Sequence, residues 1–88
     1  MTEILFDKLS RMLELLVLLP DGEGQRGQLR LIRIYGENGE YYLQGMGVSS
    51  GQEHSFALSQ VAEIIDLESG ENVDIAEFRA ELMAHPKS

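Results

Sequence analysis

The sequence predicts a single small α+β domain, and three observations support this fold class. Apolar residues at helical spacing precede Pro20, an Asn-Gly pair at 38–39 separates two runs typical of β-strands, and Asp74 begins a helix-capping pattern. We therefore expect an N-terminal amphipathic helix, a small antiparallel β-sheet or partly open SH3/Sm-like barrel of about four strands, and a C-terminal helix. The predicted bounds are helix 2–19, glycine-rich loop 20–28, β-region 29–67 and helix 74–85, within one domain spanning 1–88.

The first segment predicts a helix because its apolar residues recur every three or four positions. The run 15–19 is apolar on every side, which leaves three alternatives: that end is fully buried, it extends as a strand, or it pairs with another subunit. Because this apolar excess occurs in so short a chain, we predict that Leu15 and Leu18 form an oligomer or partner interface. The helical stripe comprises Leu5, Leu9, Met12, Leu16 and Leu19.

Residues 21–28 are rich in glycine and predict a flexible connector. They contain Gly22, Gly24 and Gly27 in the spacing G-x-G-x-x-G, which in dinucleotide-binding proteins cradles a pyrophosphate. That motif requires a strand before it and a helix after it, whereas the order predicted here is the reverse. Glu23 would also repel the pyrophosphate. We therefore reject a dinucleotide site in this loop.

Asn38 and Gly39 predict a tight β-hairpin, because a two-residue turn of this type needs positive φ at both positions. The flanking strands are predicted at 29–35 and 40–48. A two-residue turn also fixes which residues of the two strands face each other. The expected pairs are Arg33 with Gln44, Ile34 with Leu43 and Tyr35 with Tyr42.

This register sorts the hairpin side chains into two sets, because successive residues of a strand point to opposite faces. One set is expected to face the core and comprises Ile32, Ile34, Tyr41 and Leu43. The other set is expected to face outward, where aromatic rings beside guanidinium groups can stack on and pair with a ligand or partner. We predict a binding surface of Arg33, Tyr35, Tyr42 and Gln44 on this face, with Arg30 nearby.

The rest of the chain predicts two more strands and the second helix. The strands are expected at 53–58 and 63–67, with a short helical turn at 59–62 between them. Asp74 followed by Glu77 is an Asp-led form of the capping box, so the helix begins there. Its buried stripe is expected to be Ile75, Phe78 and Leu82, and His85-Pro86 is expected to end it.

Composition narrows the classes of function. The formal net charge is −8, which argues against direct nucleic-acid binding and suits a basic protein partner. The chain has no cysteine, which excludes disulfides and thiolate metal sites. We find no signal peptide and no apolar run of membrane-spanning length, so we expect a soluble cytoplasmic protein with no membrane contact.

No residue pattern points to catalysis, a metal or a cofactor. His54 is adjacent to Glu53, and neighbours in a strand point to opposite faces, so the two cannot share a metal ion. The acids of the C-terminal part are typical of a solvated helix face. We therefore expect a protein that is not an enzyme and carries no metal and no cofactor.

From residue 29 to 80 the chain resembles a degenerate WYL domain, a small β-rich sensing module named for a Trp-Tyr-Leu motif. In that family a strand ending in Ile-x-Tyr is followed by the motif strand, a Phe-Arg-Leu-Asp-Arg-Ile segment and a Thr-Gly-Glu-like turn. The segment 8–16 is also similar to the opening helix of the winged helix that often precedes such domains. The matching stretches are 32–35 (Ile-Arg-Ile-Tyr), 41–43 (Tyr-Tyr-Leu), 56–61 (Phe-Ala-Leu-Ser-Gln-Val) and 69–71 (Ser-Gly-Glu).

The departures from the WYL pattern bear on function. The arginines with which the family faces a negatively charged ligand are replaced here by His54, Ala57 and Gln60. Alanine cannot supply the paired hydrogen bonds of a guanidinium group. The resemblance therefore implies a reduced member that has lost nucleotide or nucleic-acid sensing and keeps a role in binding protein.

Three hypotheses of function follow. The leading one is a small non-enzymatic regulatory or adaptor domain that binds another protein or a second copy of itself. The second is a WYL-like sensor of a small anionic, nucleotide-type ligand on the outer hairpin face. The third is an acidic, phage-type inhibitor of a nucleic-acid-binding complex, suggested by the small size and negative charge.

Overall fold

A computed structural model describes residues 2–84 as one antiparallel sheet of seven strands with a single helix. The strand order is β5-β4-β3-β2-β6-β7, and β1 pairs with β3 beside this path. A short 3₁₀ turn, Leu58–Gln60, joins β5 to β6. The elements are β1 (Thr2–Phe6), β2 (Arg11–Leu18), β3 (Gly24–Glu37), β4 (Glu40–Gly47), β5 (Glu53–Ala57), β6 (Val61–Asp66), β7 (Asn72–Val73) and α1 (Ile75–Ala84).

The long strand β3 organises the sheet. Along one side it pairs with β4. Along the other side, its first part pairs with β2 between Gly24 and Leu31, and its last part pairs with β1 between Ile34 and Glu37. Strands β1 and β2 therefore lie one after the other beside the same neighbour. This arrangement brings the first residues of the chain next to the β3–β4 hairpin.

The predicted N-terminal helix is wrong, because residues 2–6 and 11–18 form β1 and β2. The partly open SH3/Sm-like barrel of about four strands is also wrong, because the strands form one sheet of seven. The segment that carries the helical stripe also contains a second, alternating set of apolar residues, and in β2 this set, Leu13, Leu15 and Val17, is the one that is buried. β2 pairs with β3 on one side and β6 on the other, and these ladders decide the structure over local helical spacing. The opening helix that the resemblance of 8–16 to a winged helix implied is therefore not formed either.

The predicted glycine-rich loop is shorter than expected. A turn at 19–23 is closed by hydrogen bonds from the Leu19 N–H to the Glu23 carbonyl (2.8 Å) and from the Gly22 N–H to the Leu19 carbonyl (2.9 Å). Gly22 has φ +91°, which glycine adopts readily. β3 then begins at Gly24, so the remaining residues of the expected connector are paired strand.

The predicted hairpin and its register are confirmed. Asn38 and Gly39 have φ of 52° and 80°, and the pairs Arg33–Gln44, Ile34–Leu43 and Tyr35–Tyr42 lie opposite each other as expected. The core assignment needs one correction, because a register shift occurs at 31–33. This bulge places an extra residue in β3, so Leu31 is buried and Ile32 is only half-buried.

The later elements largely confirm the sequence prediction. The Asp74 Oδ1 accepts a hydrogen bond from the Glu77 N–H at 3.1 Å, as a helix cap does. Leu82 is buried, and Ile75 and Phe78 pack against the core beside it. The predicted stop at 85–86 lies outside the described residues. The short strand β7 was not expected.

The core lies on one face of the curved sheet. Its residues come from β2, β3, β4 and β6, together with Leu58 of the 3₁₀ turn and Leu82 of α1. Among the described residues Asp66 is the one polar side chain classed as buried. It pairs with Arg11, and its Oδ1 accepts the Glu68 N–H at 2.9 Å, which holds the turn after β6. We call the face opposite this core the outer face.

Candidate functional site

The outer face of the hairpin brings most of the predicted binding residues together. Across four neighbouring strands, Ile4, Tyr35, Tyr42 and Ala57 form one row of directly opposed residues. The next row contains Arg33, Gln44 and Ser55, and Arg30 lies opposite Met46 further along. We name this surface the outer patch, defined by Ile4, Arg30, Arg33, Tyr35, Tyr42 and Gln44.

The two tyrosines of the outer patch form an ordered pair. Their rings stack with centroids 5.0 Å apart and planes inclined by 15°. The Tyr35 hydroxyl is 2.7 Å from the Ser55 Oγ, so one of the two donates a hydrogen bond to the other. Both tyrosine side chains are half-buried. Their rings are thus fixed before any partner arrives, which lowers the entropy lost on binding.

Arg33 is held by polar neighbours on the same face. Its Nε donates to the Asp7 Oδ1 at 3.0 Å, and its Nη1 donates to the Gln44 Oε1 at 3.4 Å. Gln44 in turn donates to Glu53. The hydrogen bond from Arg33, followed by that from the Lys8 N–H, holds the pKa of Asp7 below its ordinary value. The charge of Arg33 is therefore already compensated within the chain.

Arg30 differs from the other arginines of residues 2–84. Arg11 pairs with Asp66, Arg26 with Glu14 and Glu63, Arg33 with Asp7, and Arg79 with Glu40. Arg30 is exposed, and within the described part of the chain no carboxylate lies within ion-pair distance of it. It is the arginine of the outer patch most available to a partner.

A shallow hollow of about 270 Å³ opens within the outer patch, between β1 and the hairpin. Ile4 contributes an aliphatic side chain that is 52% exposed beside the tyrosine pair. Sequence reasoning missed Ile4 because it assigned that residue to a helix. An alternating pattern at 2–6 would have been the signal, but five residues are too few to show a period reliably. The hollow is lined by Thr2, Ile4, Arg33, Tyr35, Glu37 and Gln44.

The two leucines predicted as an interface have different positions. Leu15 is 2% exposed and packs in the core, so it has no surface to offer a partner and its assignment to an interface is corrected. Its apolar character is explained by β2 lying between β3 and β6. Leu18, at the end of β2, is 44% exposed, and its role at an interface stays a prediction.

His54 points to the inner face of the sheet, the face that carries the core, whereas its chain neighbour Glu53 points to the outer face. Its ring stacks on Phe56 with centroids 5.8 Å apart, and its Nε2 lies 3.1 Å from the Ser50 Oγ. These residues line a cavity of about 370 Å³ that sequence reasoning did not find. In the part of the chain that the structure describes, no acid lines the cavity to orient the imidazole. Among residues 2–84 no three His, Cys, Asp or Glu side chains are grouped to hold a metal ion.

Comparison with known proteins gives no family for this chain: no family model, no curated protein and no solved structure matches it. In residues 2–84 no helix is long and apolar enough to cross a membrane. The class of protein is therefore defined by the fold and the outer patch alone. It is a small antiparallel β-sheet domain with one C-terminal helix and an aromatic, arginine-bearing outer face.

Proposed function

We propose that this protein is a non-enzymatic regulatory or adaptor domain that binds another protein through the outer patch. The observation that carries the proposal is an exposed isoleucine, Ile4, placed directly beside a stacked pair, Tyr35 and Tyr42. Tyrosine and arginine are the residues most often found as energetic anchors of protein interfaces. On the same face, Arg33 lies in the row next to the pair and Arg30 lies further along β3.

The side chains of the outer patch are held in place within the chain, and this preorganisation supports the same proposal. Binding usually loses free energy when side chains become fixed at the interface. Here the Tyr35 hydroxyl is hydrogen-bonded to Ser55, and Arg33 is held by Asp7 and Gln44. The net charge of −8 makes two copies of the chain repel each other, so it favours a basic partner over self-association.

The proposal is tested by capturing partners on the purified protein and measuring the affinity of each for two single variants. Ile4→Ser and Tyr42→Ala should each lower the affinity by roughly tenfold or more if the outer patch is the interface. Val48→Ser is the matched control, because Val48 is a β-branched residue with similar exposure, 49%, in the turn that follows β4.

Binding that survives both patch variants would overturn the outer patch as the interface. Sedimentation velocity over a range of protein concentrations tests self-association separately. A dimer that dissociates in Tyr42→Ala would identify the partner as a second copy. A protein that stays monomeric, and that captures no partner sensitive to Ile4→Ser, would contradict the proposal as a whole.

One observation favours a second candidate, the sensor of a small anionic ligand. Arg30 is an exposed guanidinium without a carboxylate partner in the described residues, and it shares a face with the tyrosine pair. Rings and guanidinium groups together can stack on and pair with a nucleotide. A WYL-like origin would suit this role, although His54, Ala57 and Gln60 replace the family's arginines. A thermal-shift screen with nucleotides decides: stabilisation lost in Arg30→Gln supports it, and no shift with any of them ends it.

A further inference from the structure

The inner face carries an apolar cleft between the sheet and α1. It has a volume of about 320 Å³. Its floor is formed by core residues, each at most 6% exposed, namely Leu13, Leu31, Ile34 and Ile64. Phe78 and Leu82 of α1 line the cleft on the helix side, and Phe6 and Val73 also line it. The helix therefore covers the core without filling the space above it.

The cleft continues into an acidic groove of about 230 Å³ along the first turns of α1. The two cavities share Asp66, Val73, Phe78 and Glu81, so they adjoin each other along these side chains. Among residues 2–84, no lysine or arginine lines the groove. The acids that line it are Asp66, Glu71, Asp74, Glu77 and Glu81.

Most of this negative charge is uncompensated. Arg11 neutralises Asp66 at the junction of the two cavities. For Glu71, Glu77 and Glu81, no lysine or arginine of residues 2–84 lies within ion-pair distance. Like charges this close together repel each other, and a cationic partner would relieve that repulsion.

We propose that this cleft binds a short basic peptide segment of a partner protein, with one apolar side chain in the cavity and lysine or arginine side chains along the acidic groove. An aliphatic or aromatic side chain would fill the space over Leu31 and Ile64 and exclude water there. The carboxylates would select against acidic and neutral segments, because charge complementarity mainly gives specificity.

The cleft and the outer patch lie on opposite faces of the sheet. Ile34, on the cleft floor, is the strand neighbour of Tyr35 in the outer patch, so the two side chains point in opposite directions. This inference therefore does not rest on the proposed function. With both surfaces occupied, the domain would bridge two protein segments.

The test uses the full chain and two heptapeptides, Lys-Lys-Leu-Lys-Lys-Leu-Lys and its matched form with serine in place of both leucines. Titration followed by two-dimensional NMR should show shifts at Leu31, Ile64, Val73 and Leu82 with the leucine peptide. The serine peptide should bind at least roughly tenfold more weakly, since it lacks the apolar side chains. Raising the salt concentration from about 0.05 to 0.5 M should weaken binding, because the screening length falls.

A variant with fewer charges in the acidic groove provides the second part of the test. Glu77→Gln with Glu81→Gln removes two exposed carboxylates and should weaken binding of the leucine peptide several-fold, whereas Val48→Ser, outside both surfaces, should leave that binding unchanged. The inference is overturned if the cleft resonances do not shift, if both peptides bind equally, or if the glutamine variant binds as wild type. Concentration-dependent shifts at the cleft without peptide would also overturn it, since a second copy would then be the occupant.

Discussion

Gly45 is a position where a single hydrogen atom in place of a side chain matters to the fold. It is buried in β4 opposite Leu31, at the bulge of β3. A Cβ added there would overlap the carbonyl oxygen of Arg30 and lie 3.0 Å from the Leu31 Cα. Both contacts are with backbone, which cannot move aside as a flexible side chain can.

We predict that Gly45→Ala destabilises the protein by about 1–3 kcal/mol, the usual range for forcing extra atoms into a packed core. The control is Gly27→Ala in β3, where an added Cβ meets nothing within 4 Å. Urea unfolding of the two variants measures the difference. Equal stability of the two alanine variants would contradict the close backbone approach at Gly45.

The hairpin turn shows how much of the structure can be predicted from the chemistry of single residues. Asn38 and Gly39 predict the turn, its register and the outward face of Tyr35 and Tyr42, because each follows from local geometry. The bulge at Ile32 could not be predicted in this way. It depends on how β3 meets β1 and β2 along its other side, which involves residues distant in sequence.

At the scale of elements, β2 is the most informative case. Its leucines satisfy a helical period and a strand period at once, so the sequence pattern admits both. The two structures bury different residues: the helix prediction puts Leu16 in its apolar stripe, whereas the strand buries Leu15 and leaves Leu16 on the outer face, opposite Arg26. Local pattern could not decide this, because the deciding partners are β3 and β6.

We predict that Leu15→Ala costs about 2–5 kcal/mol, as for other fully buried leucines, while Leu16→Ala costs clearly less. The two residues are adjacent and chemically identical, so each controls for the other. Chemical denaturation gives the free energies of unfolding. A larger loss for Leu16→Ala than for Leu15→Ala would contradict the strand assignment of 11–18.

Position in the sheet also predicts which elements open first. Strand β2 has a paired neighbour on each side, whereas β5 and β7 lie at the two ends of the strand order. Local opening is easiest where fewest neighbours hold the backbone. Amide hydrogen exchange should therefore be slowest at Leu15 in β2 and in the centre of β3, and fast in Asn72–Val73. Protection of β7 equal to that of β2 would contradict this order.

At the scale of the molecule, the acidic balance couples stability to pH. Three carboxyl groups have a lowered pKa in the fold. Asp7 is held mainly by Arg33, Glu40 mainly by a hydrogen bond from Ser59, and Asp66 mainly by the Glu68 N–H with further help from Arg11. A group whose folded pKa lies below its unfolded value stabilises the fold above that unfolded value, near pH 4 for these acids.

We therefore predict that the stabilisation from Asp66 is present at neutral pH and is lost as the pH falls below about 4 through the folded pKa. Asp66→Asn should lower the thermal midpoint at pH 7, and the gap between variant and wild type should narrow at pH 2–3. Acidification also relieves the general repulsion among carboxylates, but this affects wild type and variant alike. The difference between their thermal midpoints therefore isolates the contribution of Asp66. A gap that is the same at both pH values would contradict the role given to this carboxylate.

The candidate site was predicted in part. Four of the five outer-patch residues taken from the sequence lie together around the hairpin, and Arg30 lies on the same face further along β3. Ile4 and the cleft beneath α1 were not found, because both depend on β1 and β2 joining the sheet. The interface assigned to Leu15 failed for the same reason.

The most direct measurement of the proposed binding surface is photo-cross-linking from two positions. A photoreactive phenylalanine analogue replaces the half-buried Tyr42 in one sample and Val48, an exposed residue in the turn after β4 and outside the outer patch, in the other. We predict a specific protein adduct from position 42 that wild-type protein competes away, and none from position 48. An adduct from position 48 with none from position 42 would contradict the outer patch as the binding surface.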